Sequence, residues 1–145
     1  MAFAVVEADF DALPFEPAQF DVVILNSSLH YSPDPGATLA EAKRMLVPGG
    51  ALVVMDSPLF AHASDGHAMV DAQQRAFVTR YGIPDVVRPG VGFLTFDDLD
   101  RLARDLGLQA RFFPSRGPFG WRFRRQLSRL RLRRRPEAFG VWVAQ

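Results

Sequence analysis

Three short polar runs, each following an apolar stretch, offer groups that could do chemistry: Asp9, Asn26-Ser27-Ser28 and Asp56-Ser57. A carboxylate accepts hydrogen bonds, while amide and hydroxyl groups both donate and accept, so such a set could orient a polar ligand. Directly behind the second run stand His30 and Tyr31. Histidine exchanges a proton near neutral pH, which makes His30 a candidate base, although the first reading is a partly buried aromatic packed beneath a loop. The other histidines, His62 and His67, flank Asp65. Their spacing fits neither a zincin nor a zinc finger, so they read as solvated loop residues and no metal site is expected. Cysteine is absent, which removes disulfides and thiolate ligands and fits a cytoplasmic protein.

The apolar stretches behind these polar runs read as strands. Phe3 to Ala8 forms the first, ending at Asp9, and Pro14 and Pro17 keep the following stretch in turns. Asp21 to Leu25 is β-branched and apolar on both faces, as a parallel sheet covered by helices requires. Pro33 and Pro35 open a helix whose apolar positions Ala37, Leu39, Ala40, Ala42 and Leu46 alternate with Glu41, Lys43 and Arg44. Pro48-Gly49-Gly50 ends it, and Ala51 to Met55 forms the next strand, completing a right-handed βαβ unit. A second helix is expected over 66–81. A third begins at a Thr95–Asp98 capping box and stops at Gly107. Leu108 to Phe113 and Phe139 to Ala144 read as final strands. Ligands of open α/β sheets gather at the carboxyl ends of the strands, where Asp9, Asn26 and Asp56 all lie.

With 145 residues, 48% of them hydrophobic and 23% charged, the chain can build one core and is not globally disordered. No apolar run approaches the roughly 20 residues that span a bilayer, and the first ten residues lack the basic start of a signal peptide. The net charge of +1 hides an asymmetry, because no acid lies between Asp105 and Glu137 while arginines crowd that interval. Lys43 is the only lysine, which points partly to genome composition. Phe119, Phe123, Leu127 and Leu130 mark one face of a basic helix, an insertion at about 117–135. Its first reading is a solvated cationic face with the apolar stripe docked on the sheet edge. The second is weak contact with an anionic membrane surface.

Four ordered motifs resemble the class I S-adenosylmethionine-dependent methyltransferases, in the branch called methyltransferase type 11. They are Ala8-Asp9-Phe10-Asp11-Ala12-Leu13-Pro14-Phe15 with Phe20-Asp21-Val22-Val23; Leu29-His30-Tyr31; Arg44-Met45-Leu46-Val47-Pro48-Gly49-Gly50; and Gly92-Phe93-Leu94-Thr95 leading to Leu99 and Gly107. The resemblance implies an α/β, Rossmann-like sheet ordered 3-2-1-4-5-7-6 with the last strand antiparallel. On that map the chain is the C-terminal portion of the domain, strands three to seven. Strands one and two, with their glycine-rich cofactor loop, fall outside it.

The resemblance also assigns roles. Asp9 accepts a hydrogen bond from the adenine amino group of S-adenosylmethionine, the alternative being a turn residue bonded to its own backbone. Phe10 lends a backbone amide or an apolar face to the ring. Asn26 and Ser27 line the floor beneath the sulfonium, or simply satisfy strand-end backbone. His30 and Tyr31 face the methyl acceptor. Asp21, at the opposite end of its strand, is structural. The stretch 59–93 covers the site, with Met69, Phe77, Tyr81 and Phe93 lining a substrate pocket or packing the cover. The implied function is methyl transfer to a small molecule, with no nucleic acid partner. The alternative is a non-catalytic truncated fold acting as an interaction or anionic-surface-binding module.

Overall fold

A computed structural model describes residues 4–84, 89–115 and 135–145. The apolar run after Asp21 is strand β1 (Phe20–Asn26), and a single 3-10 turn (Leu29–Tyr31) leads from it toward helix α1 (Pro35–Met45). Asp34 is the N-cap: its side chain accepts from the Gly36 and Ala37 amides, and Pro35 fills the first helical position, where a missing N–H costs nothing. The helix ends at Met45, three residues before Pro48-Gly49-Gly50, because Leu46 already turns extended. Strand β2 (Leu46–Met55) therefore starts earlier than expected, and its register against β1 shifts between Phe20 and Val22 to absorb the Pro-Gly-Gly stretch.

Beyond β2 come β3 (Leu59–Phe60), helix α2 (Ala63–Tyr81), β4 (Leu94–Thr95), helix α3 (Phe96–Asp105), β5 (Ala110–Pro114) and β6 (Gly140–Ala144). The main sheet has the order β1-β2-β6-β5, and β3 pairs with β4 separately. β1 and β2 are parallel, while β6 runs antiparallel to both β2 and β5. This is the expected order of the last four strands, including the antiparallel final one.

Side-chain alternation decides where the core lies. Leu52 and Val54 of β2, with Trp142 and Ala144 of β6, point to one face, where Leu39 and Ala42 of α1 and Leu99 and Ala103 of α3 meet them. Val23 and Leu25 join the same cluster. On the opposite face Val22, Ile24 and Phe113 are half-exposed, so the described residues do not cover β1 on both sides as its composition suggests. The strand expected over Phe3 to Ala8 is corrected as well. Residues 4–8 carry no pairing, Val5 and Val6 are exposed, and the outer edge of β1 has no neighbour among the described residues. A strand exists through its ladder, and apolar composition alone does not make one. The basic insertion at about 117–135 lies almost wholly outside the described residues.

The Thr95 cap forms with one difference from the usual box. Its hydroxyl oxygen accepts from the Asp98 amide at 3.1 Å, and its hydroxyl proton goes to the Asp98 carboxylate at 2.6 Å. Replacing Thr95 with alanine should cost about 1 kcal/mol, read as a lower urea midpoint, while Thr95→Ser should keep most of that stability.

Candidate functional site

β1 and β2 finish level. Asn26 faces Met55 as their last register pair, and the Ser27 amide donates to the Met55 carbonyl at 2.9 Å. The next residue on each strand then takes a left-handed backbone, with φ of 51° at Ser27 and 53° at Asp56. Neither is glycine, and strained backbone of this kind gathers where a chain must leave a sheet abruptly beside a site. Asn26 and Ser27 are exposed on this rim, and Ser57, one residue past the second turn, is buried.

The 3-10 turn that follows β1 is anchored by Leu29, which is fully buried, and carries His30 inward. His30 is 7% exposed, and its Nδ1 lies 3.1 Å from Ser57 Oγ. Burial pushes the imidazole pKa below its ordinary 6.5, so the ring is neutral at neutral pH. Tyr31 is half-exposed, with its ring tilted over His30 at a centroid distance of 4.1 Å. From the other side, the Gly92 amide donates to the His30 carbonyl at 2.9 Å. Gly90 sits so close that a Cβ there would meet the Ser32 and His30 carbonyl oxygens at 2.6 and 2.7 Å.

Asp9 begins a tight turn. One carboxylate oxygen accepts from the Asp11 amide at 3.0 Å, and its carbonyl accepts from the Ala12 amide at 3.1 Å. The turn role is therefore present, and it engages Oδ1, not Oδ2. Phe10 is half-buried beside it. From here the chain runs the length of α1 as a strap. Thr38 donates to the Asp11 carboxylate, and the Leu13 amide donates to Glu41 Oε1 at 2.8 Å. The Ala18 and Gln19 amides then reach the Arg44 and Met45 carbonyls at the far end of the helix. Arg44 grips Glu41 through Nε and Nη2, both at 2.8 Å, and also reaches the Leu13 carbonyl. The hydrogen bonds from Arg44, followed by the Leu13 amide, hold the Glu41 carboxyl down at about 2.

Asn26, Ser27, His30 and Tyr31 thus share one end of the sheet. Asp9 and Phe10 join them through Asp11, because Thr38 belongs to the beginning of α1, just beyond the His30 turn. Asp21 is exposed at the opposite end of β1. The expected cover residues separate. Met69 and Phe93 pack with Phe60 in a small buried cluster, whereas Phe77 stacks on exposed Tyr81 at the end of α2. His62 immediately precedes α2, and exposed His67 sets its ring edge-on to Phe93 at 5.0 Å. Sequence reasoning did not single out Ser32, Thr38 or Glu41 as parts of this site. Only the helix start at Asp34-Pro35 hints that Thr38 lies near the strand ends.

A family model described as "methyltransferase domain" matches residues 2–54, the stretch holding the Asp9 loop, β1, the His30 turn, α1 and most of β2. A SAM-dependent methyltransferase structure from Methanosarcina mazei superposes with a TM-score of 0.53 at 15% identity, covering 95% of this chain and 64% of that one. Over residues 2–54 the chain is similar to that methyltransferase family, and its fold is that of the Rossmann-like methyltransferases. The chain is 44% identical over 61 residues to the uncharacterised protein YafE of Escherichia coli, covering 42% of this chain and 27% of the relative. It is 43% identical over 51 residues to the ubiquinone/menaquinone biosynthesis C-methyltransferase of Rhizobium leguminosarum, covering 35% and 20%. It thus spans roughly a fifth to a quarter of these curated relatives. The cofactor of the family is S-adenosylmethionine. No helix among the described residues is long and apolar enough to cross a membrane.

Two groups give the chain a pH signature. Folding holds His30 neutral, so the unfolded chain binds more protons below pH 6.5 and stability falls with the pH there. His30→Asn should flatten that part of the curve, so its melting temperature should drop less than wild type between about pH 7 and 5. Glu41 works in the acid range. Its depressed pKa stabilises the fold above the ordinary value of 4.5, and that contribution disappears as the pH falls toward 2. Denaturation of Glu41→Gln should show a deficit at pH 7 that closes across this interval.

Proposed function

We propose that this chain supplies the adenine end and the acceptor side of a site for methyl transfer to a small molecule. The observation that carries the reading is convergence. The Asp9 turn, the Asn26–Ser27 rim and the His30–Ser57 pair meet at one end of the β1–β2 ladder.

The residues fit the adenine end of S-adenosylmethionine. Asp9 keeps Oδ2 outside its own turn as an acceptor for an exocyclic amine, and Phe10 offers a half-buried aromatic face beside it. Bound there, the cofactor supplies an electrophilic methyl group on a sulfonium. Asn26 and Ser27 present amide and hydroxyl groups along the rim between the two halves of the site. Tyr31 is the exposed aromatic against which an acceptor can rest. His30 is the base: a proton on Nδ1, directed to Ser57, leaves Nε2 as the basic nitrogen, and burial keeps the ring neutral. The Rhizobium relative is named as a C-methyltransferase of ubiquinone and menaquinone biosynthesis, which supports a small organic acceptor here.

Calorimetric titration with S-adenosylhomocysteine tests the reading. Wild type should bind at roughly micromolar affinity, and Asp9→Ala should bind at least about tenfold more weakly, the value of one lost charge-assisted hydrogen bond. An Asp9→Ala chain that binds as wild type does would sink the adenine assignment. A wild-type chain silent toward the cofactor product but retained on anionic vesicles would favour the binding-module alternative.

A further inference from the structure

The loop beginning at Asp9 and the turn carrying His30 are joined by a line of side-chain hydrogen bonds whose direction the chemistry dictates. Thr38 sits near the start of α1 with 1% of its surface exposed, and Ser32, also 1% exposed, closes the His30 turn. Their hydroxyl oxygens are 2.8 Å apart. Thr38 Oγ1 also meets the Asp11 carboxylate, with the Asp34 carbonyl farther off at 3.3 Å. A carboxylate oxygen accepts and does not donate, so the single Thr38 proton goes to Asp11. Thr38 can then only accept from Ser32. Asp11 in turn donates its amide to the Asp9 carboxylate. The line therefore runs from Ser32 through Thr38 and Asp11 to Asp9, with each group donating to the next.

We propose that Thr38 and Asp11 are positioning residues that hold the Asp9 loop and the His30 turn as one unit, so that ordering either side of the site orders the other. The role of the two sides in binding rests on the function proposed above; the mechanical coupling rests on the hydrogen bonds alone. Thr38 is suited to the task because it touches both segments from a helix that is itself fixed by Leu39 and Ala42 in the core. Removing its hydroxyl while keeping its shape leaves buried Ser32 without an acceptor and Asp11 without its donor, and interior polar groups do not tolerate such loss.

The test compares wild type with Thr38→Val, Thr38→Ser and Asp11→Ala, by amide hydrogen exchange and by titration with S-adenosylhomocysteine. Hydrogen-bonded amides on both sides serve as probes: Asp11, Ala12 and Leu13 in the loop, Tyr31 and Ser32 in the turn. In Thr38→Val, exchange should rise by about tenfold or more at both sets while β2 and β6 stay protected, and probe affinity should fall by a similar factor. Thr38→Ser should restore both readouts, which a general packing defect would not allow. Should Thr38→Val fail to fold, Asp11→Ala, at a half-exposed position, must deprotect Tyr31 and Ser32. Loosening of one segment without the other overturns the coupling. If wild type does not bind the probe, the cofactor reading fails, and the exchange data still decide the coupling by the same criterion.

Discussion

The structure depends on the parallel pairing of β1 with β2. From Val22 opposite Ala51 to Asn26 opposite Met55, the ladder carries both chains to the same level before either turns away. Parallel strands require a crossover, and the crossover here is α1, so the helix must begin at the end of the sheet where the strands finish. That one geometric requirement brings the polar strand ends, the His30 turn and the start of α1 into a single region. The alternating side chains of β2 point Leu52 and Val54 into the core and fix the helices above it, and the rim residues inherit their positions from that packing.

The second organising element is the strap over residues 9–19. It has no regular structure of its own beyond one isolated bridge, so its backbone polar groups must find partners elsewhere, and α1 supplies them in sequence. Thr38 takes the beginning of the strap, Glu41 and Arg44 the middle, and the last carbonyls of the helix its end. The Glu41–Arg44 ion pair is only partly shielded from water, and its own attraction contributes little. Its value lies in presenting an acceptor and a donor together to Leu13, which satisfies both backbone groups of that residue. A helix used in this way serves as the missing ladder for a segment that cannot join the sheet.

Much of this was legible in the sequence because it is local. The β-branched run at 21–25, the period of α1, the Thr95 cap and the Gly107 stop each follow from neighbours a few residues apart. The antiparallel last strand was implied by the resemblance to the methyltransferase family, not by its own composition. What remained hidden is what depends on long separations. His30 and Ser57 are 27 residues apart, Asp11 and Thr38 also 27, and Leu13 and Glu41 28. No periodicity relates such pairs, and Glu41 reads from sequence as an ordinary solvated helix residue. The expected strand at 3–8 fails for the same reason in reverse. Its residues suit a strand, but pairing is a property of two segments, and the described structure provides no second one.

The approach of Gly90 to the His30 turn places main chain directly against main chain, with no side chain between. Walls built in this way are closed to evolutionary drift, since every alternative residue at position 90 would have to displace backbone atoms of three consecutive positions. Tyr31 and Val91, both exposed beside that contact, carry no such restriction. Variation is therefore channelled: the exposed contour can be redrawn at 31 and 91, while Gly90 holds the distance between the loop and the turn. The fold thus separates surface positions that can vary from the glycine that keeps two stretches of main chain in contact.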